Sequence, residues 1–284
     1  MNRFLLPLSA CLLLLAAPSA AAQDPATPPA PAAKPEWPKL DRLQTGRVSE
    51  LFKNLLLKNP ELHETSLREM IELGAGTAPA LINRLSDAKS NHNEWVGRAL
   101  DGVTTVEHAP LLVPETTSKV VARRRYSLRR LGELGAKDMA AVYKAAMTDK
   151  DADAAFLAGL GLASTGDAEG LPLVLARAKA DWKGSRAVIE SILPHGKGGA
   201  VSAWISEHTD GKDFNERVAA LRLFRTGGAR EHARRVASSL DAADHMVKKE
   251  AINALRVVVL EQPPLDDLSV FQTIEMAKEI RSKL

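Results

Sequence analysis

Cysteine, aromatic residues and a decided charge are what this chain of 284 residues is short of. Its one cysteine, Cys11, stands inside an apolar leader. Beyond the leader there is therefore no thiol for a disulfide, a thiolate zinc site or a nucleophile. Phe, Trp and Tyr together make up 4% of the residues, too few for a surface that stacks bases or grips sugars. A formal net charge of +3 is too near balance for a nucleic-acid binder. Serine-nucleophile elbows are missing, as are alternating strand-like runs. Gly196-Lys197-Gly198-Gly199 has neither the spacing nor the following Ser/Thr of a phosphate loop and reads as a turn. Apolar residues are plentiful at 45%, ample for a large core.

Arg3, the apolar run Phe4–Ala17 and the small residues Ala20-Ala21-Ala22 have the layout of a secretory signal over residues 1–22, cut before Gln23. Leu8-Ser9-Ala10-Cys11 offers a lipobox as an alternative, and an uncleaved anchor is a third reading. Membrane contact is expected only if the leader is retained or Cys11 is lipidated. Residues 23–39 follow as a linker, with six prolines among the sixteen residues Asp24–Lys39. Proline biases its neighbours toward extended backbone, which predicts a spacer of roughly 50 Å. The expected location is periplasmic or secreted.

From residue 40 to 284 apolar residues recur at three- and four-residue spacing, punctuated by glycine. Met70, Leu100, Leu131, Leu162, Leu193, Leu223 and Leu255 recur at steps of 30, 31, 31, 31, 30 and 32 residues. A small or apolar residue precedes most anchors by four positions, and glycine follows within a few, as a helix C-terminus requires. A second apolar stretch follows each: Pro79–Leu85, Val106–Val113, Met139–Met147, Leu171–Ala178, Ala200–Ile205, Ala229–Leu240 and Leu268–Ile280. A unit of about 31 residues holds two helices and two turns, and one such pair cannot bury its own stripe. The expected fold is all-α, an α-solenoid of about seven helical hairpins. Thr45–Lys58 reads as an N-terminal capping helix and Asp266–Leu284 as the closing segment. Asp149, Asp151, Asp213 and Asp244 stand where helix N-caps belong.

Val247-Lys248-Lys249-Glu250-Ala251-Ile252-Asn253-Ala254-Leu255 and Leu131-Gly132-Glu133-Leu134-Gly135 resemble HEAT repeats, above all the short bacterial form found in PBS-lyase-like proteins. The resemblance spans residues 62–284 and is weakest around 90–117. It implies a scaffold that binds other macromolecules, seldom an enzyme, with the second helices lining the concave side. It also implies that the basic residue at the Arg124 position ties adjacent units together. Arg186 and Lys248 are its equivalents, while Ala155 breaks the series.

Seven histidines raise a metal reading. His63-Glu64 is like the dyads with which deoxyhypusine hydroxylase, a HEAT-repeat enzyme, holds iron. Glu107-His108, Glu207-His208 and Glu231-His232 run in the reverse order, and adjacent helical residues point about 100° apart. Asp149-Lys150-Asp151-Ala152-Asp153 opens like a calcium loop but lacks the sixth-position glycine and the twelfth-position acid. Helix capping explains it better, and no metal, cofactor or catalytic residue is assigned.

Lys119, Arg123, Arg124, Arg125, Arg129 and Arg130 form the densest basic cluster. At 100° per residue Arg124 falls inside the apolar stripe and needs an acidic or carbonyl partner. The others are expected on the exposed side, as a solvated face or, alternatively, as a patch that binds an anionic partner. Arg84, Lys144, Arg177, Arg234 and Arg235 fall on second helices and are the candidate partner-binding residues, their summed field favouring an acidic protein. Trp95, Trp182 and Trp204 read as packing at unit boundaries, or as anchors if exposed. The function expected is a monomeric, non-catalytic scaffold for a protein partner. The alternatives are a His/Glu metal-dependent enzyme or a passive envelope spacer.

Overall fold

In the computed structural model, residues 35–57, 59–88 and 90–284 are described; the leader, Cys11 and the linker up to Lys34 lie outside them. Helices begin where a short polar side chain can satisfy the free N–H groups of a first turn. Asp41 and Gln44 form a capping box at the start of α1 (Arg42–Leu55). Asn59 caps α2 (Pro60–Glu72), Asp151 caps α8 (Ala152–Ser164), Asp213 caps α12 (Phe214–Gly227) and Asp244 caps α14 (His245–Val259). Asp149 departs from its expected capping role and pairs with Arg124 instead. α4 (Ser90–Val103), α6 (Val121–Glu133) and α10 (Trp182–Ile192) complete the first helices of seven pairs.

Second helices are α3 (Ala78–Ile82), α5 (Ala109–Leu112), α7 (Ala140–Ala146), α9 (Leu171–Ala180), α11 (Gly199–Glu207), α13 (Ala233–Val236) and α15 (Val270–Lys283). Before α15 they are shorter than a two-helix unit suggests, because each is partly wound as a tighter 3-10 turn. Residues 106–108 and 113–117 flank α5, and residues 230–232 and 237–241 flank α13. The described residues contain no strand, and the fold is an all-α solenoid of seven hairpins preceded by α1.

All seven anchors are fully buried, from Met70 to Leu255. Val48, Leu51, Phe52 and Leu55 bury the inner face of α1, as a capping helix must. Gly74, Gly135 and Gly166 take φ of 76°, 62° and 93°, the left-handed geometry that ends a helix without a Cβ clash. The other four anchors depart from this expectation, and Gly196 and Gly227, after Leu193 and Leu223, keep φ outside the left-handed region. Gly102 lies within α4, where a Cβ would come 2.5 Å from Ile71 Cδ1. After Leu255 there is no glycine, and Glu261 takes the left-handed turn at φ 56°. The outer side of α15 is also less polar than expected, exposing Val270, Phe271 and Ile274.

Stacking is not uniform. α6 packs closely on α8 and α12 on α14, whereas α4 makes few contacts with α6. α10 follows α9 after one residue, Asp181, whose backbone closes α9 and whose carboxylate caps α10 through Gly184 N–H at 2.9 Å. With no loop to carry it into register, α10 divides its contacts among α6, α8, α9 and α12, and α9 reaches α12 directly. Among the described residues no helix is long and apolar enough to cross a membrane.

Candidate functional site

Two surface features stand between neighbouring units, and they differ in chemistry. The first is a cleft of about 690 Å³ between α4 and α6. The residue before α6 is Val120, which cannot cap, so Asp87 of the preceding unit does it: its carboxylate accepts from Val121 N–H at 3.0 Å and Ala122 N–H at 2.7 Å. Arg129 reaches across to Asp101 at 2.9 Å. Arg130 donates to the carbonyls of Asp101 and Thr104 at 2.7 and 2.6 Å, and so satisfies the C-terminal end of α4. Arg125 pairs with Asp151 and, at 2.8 Å, with Asp153. Asp153 also pairs with Arg177, which lies over the Phe156 ring. The basic cluster is therefore not a solvated face as expected. Arg124, Arg125, Arg129 and Arg130 are committed to carboxylates and carbonyls of this chain, on adjoining segments and, for Arg129 and Arg130, also to Glu133 of α6 itself.

Arg124 does what its place in the apolar stripe requires. It forms a two-pronged pair with Asp149, at 2.6 and 2.9 Å, and donates to the Ser118 carbonyl at 2.8 Å, with the two side chains 15% and 11% exposed. Hydrogen bonding from Arg124 holds the Asp149 carboxyl below its ordinary value of 3.8, and Arg125 does the same to Asp151. Asp149, Asp151 and Asp153 thus hold guanidinium groups, and Asp151 caps a helix.

The second feature is a groove of about 750 Å³ between the end of α5, with its following turn, and α7. Val113, Pro114, Val142, Ala145 and Ala146 line its walls, Thr117, Ser118, Thr148 and Lys150 its rim. Ala141, Ala145, Thr117 and Lys150 are exposed. No ladder of ion pairs closes it; the Arg124–Asp149 pair forms one boundary.

The five candidate partner-binding residues are placed apart along the stack, each beside a group of this chain. Arg84 lies 4.0 Å over the Phe52 ring, and Lys144 pairs with Asp167 and Glu169 at 2.8 Å each. Arg177 belongs to the network at Asp153. Arg234 donates twice to the Leu284 carbonyl, at 3.0 and 2.9 Å, and Arg235 lies 3.3 Å from Asp210. Trp95, Trp182 and Trp204 are half-buried against the core. His63 and Glu64 diverge: the ring of His63 meets the Leu57 carbonyl and Trp95, while Glu64 pairs with Arg98 at 2.9 Å. His108 stacks on Trp37 and His208 on Trp204. Among the described residues no three His, Cys, Asp or Glu side chains converge on a metal position.

Asp87, Asp101 and the α5–α7 groove were not singled out by sequence reasoning. The carboxylates had a signal, since opposite charges recur about one unit apart: Glu64 with Arg98, Asp101 with Arg129, Glu190 with Arg225 and Arg222 with Glu250. The groove had none, being an absence of bulk at Ala141 and Ala145.

No family model matches the chain, and no curated protein does. Among solved structures it is similar to human deoxyhypusine hydroxylase in complex with glycerol, at 15% identity and a TM-score of 0.34, over 85% of this chain and 96% of that one. The fold assignment rests on the helix pairs and buried anchors described above.

Proposed function

We propose that this protein is an exported scaffold of the short bacterial HEAT type, which binds a protein partner on its second-helix side and catalyses nothing. One observation carries the reading. The arginines of the α4–α6 cleft are spent on this chain's own acids and carbonyls, whereas the α5–α7 groove keeps an open apolar wall. Open apolar surface beside polar rims is where partners gain most from excluding water. The leader at 1–22 supports export.

Photo-crosslinkers at Ala141, in the groove, and at Glu94, in the cleft, test this in the full chain expressed with its leader. A defined protein adduct from position 141 and none from 94 is the expected result. Adducts from neither support the passive spacer. Stoichiometric iron or zinc, lost on His63→Ala, would favour the metal-dependent enzyme. Charge reversal at Arg234 is a poor test, because that side chain also holds the last helix at Leu284.

A further inference from the structure

The chain itself shows what fits between its second helices. α1 precedes α2 just as each second helix precedes the next first helix, so α1 and α3 are consecutive members of the second-helix row. Against them lies a strap without regular secondary structure, Pro35–Leu40, of which residues up to Lys39 fall in the expected linker. Pro38 and Leu40 seat on Gly76, where a Cβ would come 2.7 Å from Leu40 Cδ2 and 2.9 Å from the Pro38 carbonyl oxygen. Trp37 stacks on His108 with ring centroids 5.4 Å apart and planes 7° from parallel. Strap, α1 and α3 together bound a cavity of about 380 Å³.

Further along the row α9 meets α11 and α11 meets α13, each through a limited contact. The turn after α5 touches α7 in a similar way, yet a groove stays open between them and no strap residue lines it. It offers the same materials as the strap's seat: small side chains on the helix, apolar walls and a hydroxyl rim. Lys150 adds an exposed cation at the edge, and the nearby Asp149 is already neutralised by Arg124.

We infer that the α5–α7 groove binds an extended, proline-containing segment of a partner protein, one that presents a large apolar residue beside an acid. Glu36-Trp37-Pro38-Lys39-Leu40 is the pattern in cis. Proline lowers the ordering cost of such a segment, the apolar residue fills the space beside Ala145, and the acid answers Lys150. The inference rests on the scaffold reading and names the partner chemistry of its groove.

A labelled synthetic peptide with the sequence of residues 35–41 is titrated against the full chain by fluorescence anisotropy. Saturable binding is expected, weakened about tenfold or more by Ala145→Arg, which fills the groove from an exposed position, and by Thr117→Arg on its rim. Replacing the peptide's tryptophan by alanine weakens it likewise. Absence of saturable binding overturns the inference. So does an affinity that both arginine variants leave unchanged from the unsubstituted chain, which would mean that the peptide exchanges with the strap at α1 and α3. A crosslinked partner at position 141 combined with either failure leaves the scaffold standing and removes only this partner chemistry.

Discussion

The α12–α14 and α4–α6 seams come from the same repeat and close by different means. α12 contributes buried Ala219, Ala220 and Leu223, and α14 contributes Val247, Ala251 and Leu255, so the helices meet along their length. A single pair, Arg222 with Glu250 at 2.9 Å, spans them. α4 and α6 stand off across their cleft, bridged by Arg129 and Arg130. The period places the helices, but the side chains at the seam decide whether backbones can approach. Alanine and leucine allow contact, whereas at α4–α6 the long side chains of Arg129 and Arg130 span the gap to Asp101 and Thr104.

This comparison is sharpest in stability. Leu223→Ala in the apolar seam is expected to cost about 2–5 kcal/mol in urea unfolding, since a fully buried side chain leaves a cavity. A cost below about 0.5 kcal/mol would mean that this seam is not held by packing.

Asp149→Ala comes next, at about 2 kcal/mol, because it strands the mostly buried Arg124 guanidinium. The same pair predicts acid sensitivity. Folding lowers the Asp149 and Asp151 carboxyls, so the unfolded chain binds more protons and stability rises with pH. That contribution is complete above the ordinary carboxylate value near 3.8 and is lost as pH falls below it through the folded values. Asp149→Ala should flatten the acid limb of a denaturation curve, and an unchanged limb would show that other groups govern it.

Asp101→Ala in the polar seam should cost only about 1 kcal/mol, its bridges being partly exposed and screened by salt. The effect should be local, seen as faster hydrogen exchange in α4 with little change in α12 and α14. Equal acceleration in both regions would erase the distinction between the seams. Smallest is Glu261→Gly, expected to add about 0.5 kcal/mol by relieving a left-handed backbone at a residue with a Cβ. A loss of stability on that change would show the Glu261 side chain to be worth more than its backbone strain.

Much of the fold was legible because a repeat writes the same constraint many times. Seven anchors at nearly equal steps identified the buried positions from Met70 to Leu255, and Arg124 inside a stripe foretold a partnered charge. The candidate site was harder to read. Glu133 was in reach of Arg129 and Arg130 by helical spacing alone, but the partners Asp151, Asp153 and Asp101 that tie Arg125, Arg129 and Arg130 to neighbouring units could not be read from it. Arg234 looked available for a partner, yet it meets the Leu284 carbonyl fifty residues away in sequence.

Sequence alone determined the local facts: which positions turn, which faces are apolar, and the interval at which both return. These depend on side-chain type and on 3.6-residue geometry, which need no knowledge of the rest of the chain. Tertiary structure alone decided which seams close, where α10 slips between its neighbours, and which arginines are spent. It also left one groove open while a strap lies against another. Those outcomes depend on distances between units, and such distances follow from the bulk of side chains that meet only after the helices have stacked.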